Sequence, residues 1–430
     1  MTDNPLTKKL NILFINRWVG YNQGGNETHI KDLMEQFSKK GHKVTVITTG
    51  GSALDYLKTK IKVEFVKGPQ VYFSNELFGL VHALIFILKC FGKFIQLYFA
   101  GEKYDVISVH FSLEAFLARF LKLVFGIPYV LVLAGDTPLE LIEGRRADGK
   151  VSISNFMNEQ CKKFGYSAEV LPKGIDLSRF SPGVNFSDLF KKENLSGKVA
   201  ILTVARLEPR KNLITLVEAA NVIVNEWRMK NFVFYIIGDG VERRFLEKNI
   251  EKYRLGQYVK LLGALSNSDS LFAKYYAMCQ LFVLPTLYEG FGWVFLEAMA
   301  CGLSIITTKV GSNFEIVGDV GVLVEPKRPD LLARKILETL NDKQTLEKMK
   351  KLGLEKAKSY SWENLMPKYE NYYSIVSEKK CSGIGCKVGV LGEIIVDFFE
   401  IVQRLIKDRV VNKGEKKGGW SGSGQKGMQN

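Results

Sequence analysis

Four side chains of the sequence carry charge at a spacing suited to holding a charged leaving group. Glu289 and Glu297 stand eight residues apart within LFVLPTLYEGFGWVFLEAMACG (281–302), and Arg206 and Lys211 flank Pro209 in VARLEPRKNL (204–213). Carboxylates accept hydrogen bonds from ribose and sugar hydroxyls, a familiar use at nucleotide sites. Arginine offers a planar fork to phosphate oxygens and lysine a mobile point charge, so together they can neutralise a departing diphosphate.

These residues need particular elements behind them. The run Leu281 to Leu284 reads as a strand stopped by Pro285, and a turn with Gly290 and Gly292 opens a run with helical spacing. Glu297 then falls about one and a half turns into that helix, and both glutamates point toward one crevice. Bare N–H groups at the helix start favour an anion, and Phe291 is expected to lie over whatever is bound. A loop that merely caps a helix, with two solvated glutamates, would leave the same letters. Arg206 and Lys211 follow the strand Val199 to Ala205, at the carboxyl end where ligands gather, although a solvated basic loop reads alike in isolation.

Further strands are expected at Asn11 to Trp18, Val44 to Thr48, Ile61 to Val66, Tyr104 to His110, Pro128 to Ala134, Phe232 to Ile237 and Val259 to Gly263. Alternation with helices implies parallel sheets. Gly20 to Asn26 forms a glycine-rich turn into a helix near Glu27, again an anion-cradling arrangement. His110 ends its strand where ligands collect, or serves there as a structural histidine. The GDG turn that begins at Gly238 is not a dinucleotide fingerprint, because the G-x-G-x-x-G spacing is missing.

EGFGWVFLEAMACG resembles the E-x7-E signature of the retaining, GT-B-fold glycosyltransferases of family 4. GGNETHIKDL (24–33), GHKVTVIT (41–48), YDVISVH (104–110), PKGIDLSRFSP (172–182), VARLEPRKNL and IIGDG (236–240) appear in the family's order. The resemblance covers about Asn11 to Tyr373 and implies an α/β fold of two facing Rossmann-like domains with a central cleft. It also implies retaining transfer of a sugar from a nucleoside diphosphate sugar to an acceptor hydroxyl.

In that reading Arg206 and Lys211 stabilise the diphosphate, Glu289 holds the donor sugar and Glu297 the ribose. Gly24, Gly25, His110, Asp136, Gly238, Phe291 and Gly292 complete the donor site. One departure stands out. Many relatives carry a histidine where this chain has Ala134, which leaves Asp136 to take over contact with the sugar. No Asp-x-Asp motif is present, so no metal is expected, and no cofactor beyond the nucleotide sugar as co-substrate.

At 430 residues two domains are expected, with the boundary in the polar stretch Phe186 to Gly197. Residues 1–185 form an acceptor-binding domain, 198–360 a nucleotide-sugar domain and 361–378 a helix crossing back to the first. Residues 379–430 hold an amphipathic helix candidate (Val388 to Val411) and a basic tail. For that helix a membrane surface, a partner and packing on the body all stay open.

Composition is that of a globular protein, 46% hydrophobic and 24% charged. The net charge of +15 suits anionic lipid, phosphorylated substrates or nucleic acid, and does not choose among them. Nucleic acid has no other support. The start MTDNPLTKKLNIL lacks a signal-like apolar segment, so cytoplasmic residence is expected. Six cysteines show no disulfide framework, and Cys381 with Cys386 lacks a second pair for a metal clip.

Leu77 to Ala100 is unusually apolar. It is either a crossover helix buried on the sheet or one whose outer face meets lipid, holding the protein peripherally on an anionic membrane. The acceptor would then be a glycan or lipid-linked precursor. Rival readings are a catalytically silent nucleotide-sugar-binding subunit and a nucleotide-sugar epimerase or hydrolase.

Overall fold

The computed structural model describes residues 8–17, 25–49, 61–67, 76–135, 137–265 and 269–380. Gly24, Asp136, Cys381, Cys386 and the amphipathic helix candidate lie outside the described residues.

Among the described residues, short β-branched and aromatic runs form strands in two parallel sheets. The first contains β1 (Asn11–Ile15), β2 (Lys43–Thr48), β3 (Lys62–Phe65), β4 (Val106–Val109), β5 (Tyr129–Leu133), β6 (Gly149–Ser152) and β7 (Glu169–Val170). Its order is β3-β2-β1-β4-β5-β6-β7. The second contains β8 (Val199–Val204), β9 (Phe232–Ile237), β10 (Val259–Gly263), β11 (Leu281–Leu284), β12 (Ser304–Thr308) and β13 (Val322–Val324) in the order β10-β9-β8-β11-β12-β13. Central strands such as YVLVL of β5 and LFVL of β11 are buried along their whole length, as strands covered by helices on both faces must be.

Strand order reverses between β1 and β4 in the first sheet and between β8 and β11 in the second. At such switch points neighbouring connections leave toward opposite faces, and a crevice opens beyond the carboxyl ends of the strands. Helix α1 (Gly25–Lys39) starts at the first crevice, and His110 ends β4 beside it. Arg206 and Glu289 stand beyond β8 and β11 at the second.

The helix Trp362–Ser377 belongs by sequence to the second half but packs on the first sheet. Its tyrosines fix it there. Tyr369 Oη donates to the Leu171 carbonyl at 2.9 Å, Tyr372 Oη to the Lys150 carbonyl at 2.9 Å, and Tyr373 shares a 2.7 Å hydrogen bond with Ser108. Leu10 N–H donates to His42 Nδ1, so the His42 proton sits on Nε2 and is donated to Glu370 at 2.9 Å. A Cβ at Gly174 would stand 2.3 Å from the Trp362 ring, so only glycine lets the two segments meet.

Helix α2 (Glu76–Phe99) is a crossover helix with one face packed on the sheet and an apolar outer side left exposed. Phe86, Cys90, Phe94 and Leu97 recur at helical spacing and are buried on the sheet. Its outer side exposes Ile85, Leu88, Tyr98 and Phe99, with Leu88 70% and Phe99 81% accessible. The neighbouring α3 (Ser112–Phe125) adds Phe116, Phe120 and Val124, so these two helices hold seven of the thirteen exposed large apolar side chains among the described residues. Among those residues no helix is long and apolar enough to cross a membrane.

Candidate active site

The basic loop and the carboxylate loop are built as one piece. Pro209–Lys211 makes a 3-10 turn, and Asn212 follows at φ +51°. Leu287 N–H and the Thr286 hydroxyl both donate to the Arg210 carbonyl, at 2.7 and 3.0 Å, while Asn212 Nδ2 donates to the Pro285 carbonyl at 3.1 Å. Lys211 is thereby carried against Glu289. Its Nζ lies 2.5 and 2.7 Å from the two carboxylate oxygens, with each side chain only 12% exposed.

Behind Glu289 the backbone is equally constrained. Its carbonyl accepts from Ser312 N–H at 2.9 Å and the Ser312 hydroxyl at 3.2 Å. Gly311 sits at φ +53°, and a Cβ there would come within 2.2 Å of that carbonyl. Gly238 does similar work for Arg206. A Cβ on it would strike the Ala205 carbonyl at 1.8 Å, so glycine lets the β9 turn press against the Arg206 loop. Arg206 itself is 55% exposed and pairs with Glu208 at 2.8 Å.

Gly292 caps the helix Trp293–Ala300 with φ +71°, a left-handed conformation that favours glycine. Glu297 lies in the second turn and is almost wholly buried. Tyr276 Oη donates to its Oε2 at 2.5 Å. Burial outweighs that hydrogen bond and the nearby Arg179 charge, raising the Glu297 carboxyl to about 7. The expectation for Phe291 is corrected here. Its ring is 3% exposed and packs on Tyr360 at 6.0 Å between centroids, because an apolar ring at a domain seam gains more from burial than from solvent. Only its backbone remains for a ligand.

The opposite wall comes from the first sheet. His110 and His29 face each other edge-on at 5.9 Å, and His29 stacks on Trp362 at 5.7 Å. Both imidazoles are buried, and neither ring nitrogen has a hydrogen-bond partner. Burial, with the Lys173 charge adding to it, pushes His110 down to about 3 and His29 well below its usual value. Both rings are neutral at pH 7. Gly25 opens α1 next to Lys173, whose Nζ lies 3.9 Å from where a Gly25 Cβ would stand. At the end of β5, Glu140 Oε1 accepts from Ala134 N–H and Gly135 N–H at 2.8 and 3.0 Å.

The two walls touch. Ser154 Oγ donates to the Gly290 carbonyl at 2.8 Å. Glu315 accepts from Asn155 N–H, Asn155 Nδ2 and Phe156 N–H at 3.0, 2.9 and 3.2 Å, capping α5 (Asn155–Lys163) from across the cleft. Lys211, Glu289 and Gly292 come together, and Lys173 relates Glu289 to Gly25 and His110. Arg206 stands on the exposed loop with Glu208, steadied by Gly238, and Glu297 is buried against Tyr276. Lys173, Glu140, Ser154, Asn212 and Glu315 escaped the sequence reading. Lys173 was visible inside PKGID, but nothing local marks it as facing the crevice.

Comparisons with known proteins identify the family and the fold. A model described as Glycosyltransferase Family 4 matches residues 23–179, and one described as Glycosyl transferases group 1 matches residues 185–356. The O-antigen chain mannosyltransferase B of Escherichia coli is 32% identical over 188 residues, 44% of this chain and 49% of that protein, so the match spans about half of that relative. The UDP-Gal:alpha-D-GlcNAc-diphosphoundecaprenol alpha-1,3-galactosyltransferase of Escherichia coli is 27% identical over 319 residues, 68% of this chain and 78% of that protein. Among solved structures, sucrose-phosphate synthase from Thermosynechococcus elongatus superposes with a TM-score of 0.73 at 22% identity, covering 86% of this chain and 99% of that one. Two Rossmann-like sheets facing one cleft, with both family models matched in tandem, make this chain a GT-B-fold glycosyltransferase belonging to glycosyl transferases group 1 and family 4.

Proposed function

We propose that the chain moves a sugar from a nucleoside diphosphate sugar to an acceptor hydroxyl with retention of anomeric configuration and without a metal ion. The observation that carries this reading is the Lys211–Glu289 pair beyond the β8/β11 switch point, with Glu289 acting on Lys173, which lies beside Gly25 at the start of α1. Residues 198–360 would bind the donor and residues 1–185 the acceptor. Arg206 and Lys211 receive the diphosphate as charge develops on it. Glu289 then accepts from sugar hydroxyls and Glu297 from the ribose, while the Phe291 and Gly292 backbone, Gly25 and His110 complete the donor site. As the sugar C1–phosphate bond breaks, a bond from C1 to the acceptor oxygen forms on the same face. The acceptor proton passes to the leaving phosphate oxygen, so orientation is the protein's main contribution.

The acceptor we infer is a lipid-linked glycan precursor. The galactosyltransferase relative is named for a diphosphoundecaprenol-linked acceptor and the mannosyltransferase relative for an O-antigen chain, and the exposed α2 and α3 face suits a protein resting on an anionic bilayer. Residence at the cytoplasmic membrane face follows from the same reading. Glu140 accepts from the Ala134 and Gly135 N–H groups and so orders the end of β5.

A thermal-shift screen against UDP, GDP and ADP sugars, followed by magnetic resonance of the product anomer, tests the reading. One nucleotide is expected to raise the melting temperature, and the product should keep the donor's configuration. An inverted product would overturn retention, and sugar release without transfer would favour a hydrolase. Sedimentation with anionic vesicles tests the membrane contact, and Leu88→Ser with Phe99→Ser should lower the bound fraction.

A further inference from the structure

We propose that Lys173 is the N-terminal domain's cation for the donor's diphosphate, so that the leaving group is held by positive charge from both walls of the cleft. The inference rests on the donor reading above and adds a residue to which that reading gives no role.

Lys173 follows β7 and is only 4% exposed. Its backbone has little freedom. Ile175 N–H donates to the Tyr360 carbonyl at 2.9 Å, and Gly174 lies flat against Trp362. The side chain therefore runs toward Gly25, the first residue of α1. A helix N-terminus presents unpaired N–H donors and partial positive charge. A buried ammonium beside it gives an anion at this helix start a charged donor in addition to the N–H groups. The unpartnered, buried rings of His29 and His110 border the same space.

The groups that face Lys173 are Glu27 on α1, Glu140 on α4 (Pro138–Arg146) and Glu289 across the cleft, together with the two neutral histidines. Three carboxylates favour the charged amine, yet burial outweighs them and lowers Lys173 to about 8. The cation thus stands in low-dielectric surroundings, where a diphosphate gains most from it.

The test uses the full-length protein and calorimetric titration with UDP, GDP and ADP at pH 7 and pH 9.5. With wild type, the nucleotide that binds should lose affinity by about thirtyfold between the two, since the site must take up a proton above pH 8. Lys173→Met should bind about ten- to a hundredfold more weakly at pH 7 and lose that pH dependence. Lys173→Arg should stay flat across the range, and Arg206→Ala should bind weakly yet keep the wild-type slope. Wild-type affinity and slope in Lys173→Met would overturn the proposal while leaving the donor reading intact. Absence of binding by all three nucleotides to wild type would overturn both.

Discussion

On the C-terminal wall of the cleft the charged side chains meet partners within their own domain: Lys211 with Glu289, Arg206 with Glu208, and Glu297 with Tyr276. The N-terminal wall is different. His29 and His110 lie desolvated without hydrogen-bond partners, and Lys173 has its affinity for protons lowered by burial. Glu297 apart, which is itself buried, the first wall stores its charges as ion pairs that a ligand can exchange. The other keeps polar groups out of water, so their interaction with a ligand is screened least. Specific recognition by the first and strong electrostatic response from the second would be the consequence.

The largest effect expected from breaking this contrast is that of Lys211→Ala. It removes the cation that fronts the diphosphate and leaves Glu289 without its 2.5 Å partner. Turnover should fall about a hundred- to a thousandfold, the scale for losing one preorganised group at a developing charge. Steady-state kinetics check it, and a fall of less than threefold would mean that the paired wall is not where charge develops.

Glu297→Gln sharpens the comparison, because it separates function from stability. At pH 8, where the carboxyl is ionised, donor affinity should drop about tenfold as a charge-assisted hydrogen bond becomes a neutral one. Stability should move the other way at high pH. The Glu297 carboxyl is raised from its ordinary 4.5 to about 7, so its contribution is fully present below pH 4.5 and lost as pH rises through 7. That loss amounts to about 3 kcal/mol. Denaturation at pH 5 and pH 8 should show the wild-type gap narrowed by roughly this amount in the variant. An unchanged gap would show that Glu297 is ionised in the folded protein.

The smallest effect is expected at the contact between the walls. Glu315→Ala leaves the start of α5 without its three acceptor contacts. Losing a cap costs about 1 kcal/mol, so the donor KM should rise about fivefold with kcat nearly unchanged. Equal KM values would mean that cleft closure does not depend on this bridge.

The difference between the walls also explains what could be read early. Glu289, Gly292 and Glu297 are near neighbours in the chain, so one strand–turn–helix pattern fixes their relation, and Arg206 and Lys211 share one loop. The N-terminal wall draws Gly25, His110, Glu140 and Lys173 from four separate strand ends. No spacing in the sequence relates them. Phe291 misled because adjacency to two carboxylates says nothing of which way a ring turns.

Sequence by itself determined the alternation of strands and helices, the two-sheet fold and the charged residues of the C-terminal wall, since each follows from periodicity or from neighbours a few residues apart. Tertiary structure alone decided the rest. Strand order brings two switch points face to face, Trp362–Ser377 ties the halves together, and burial gives Glu297, His110 and Lys173 their protonation. Desolvation depends on what surrounds a group in three dimensions, and a chain's order does not contain it.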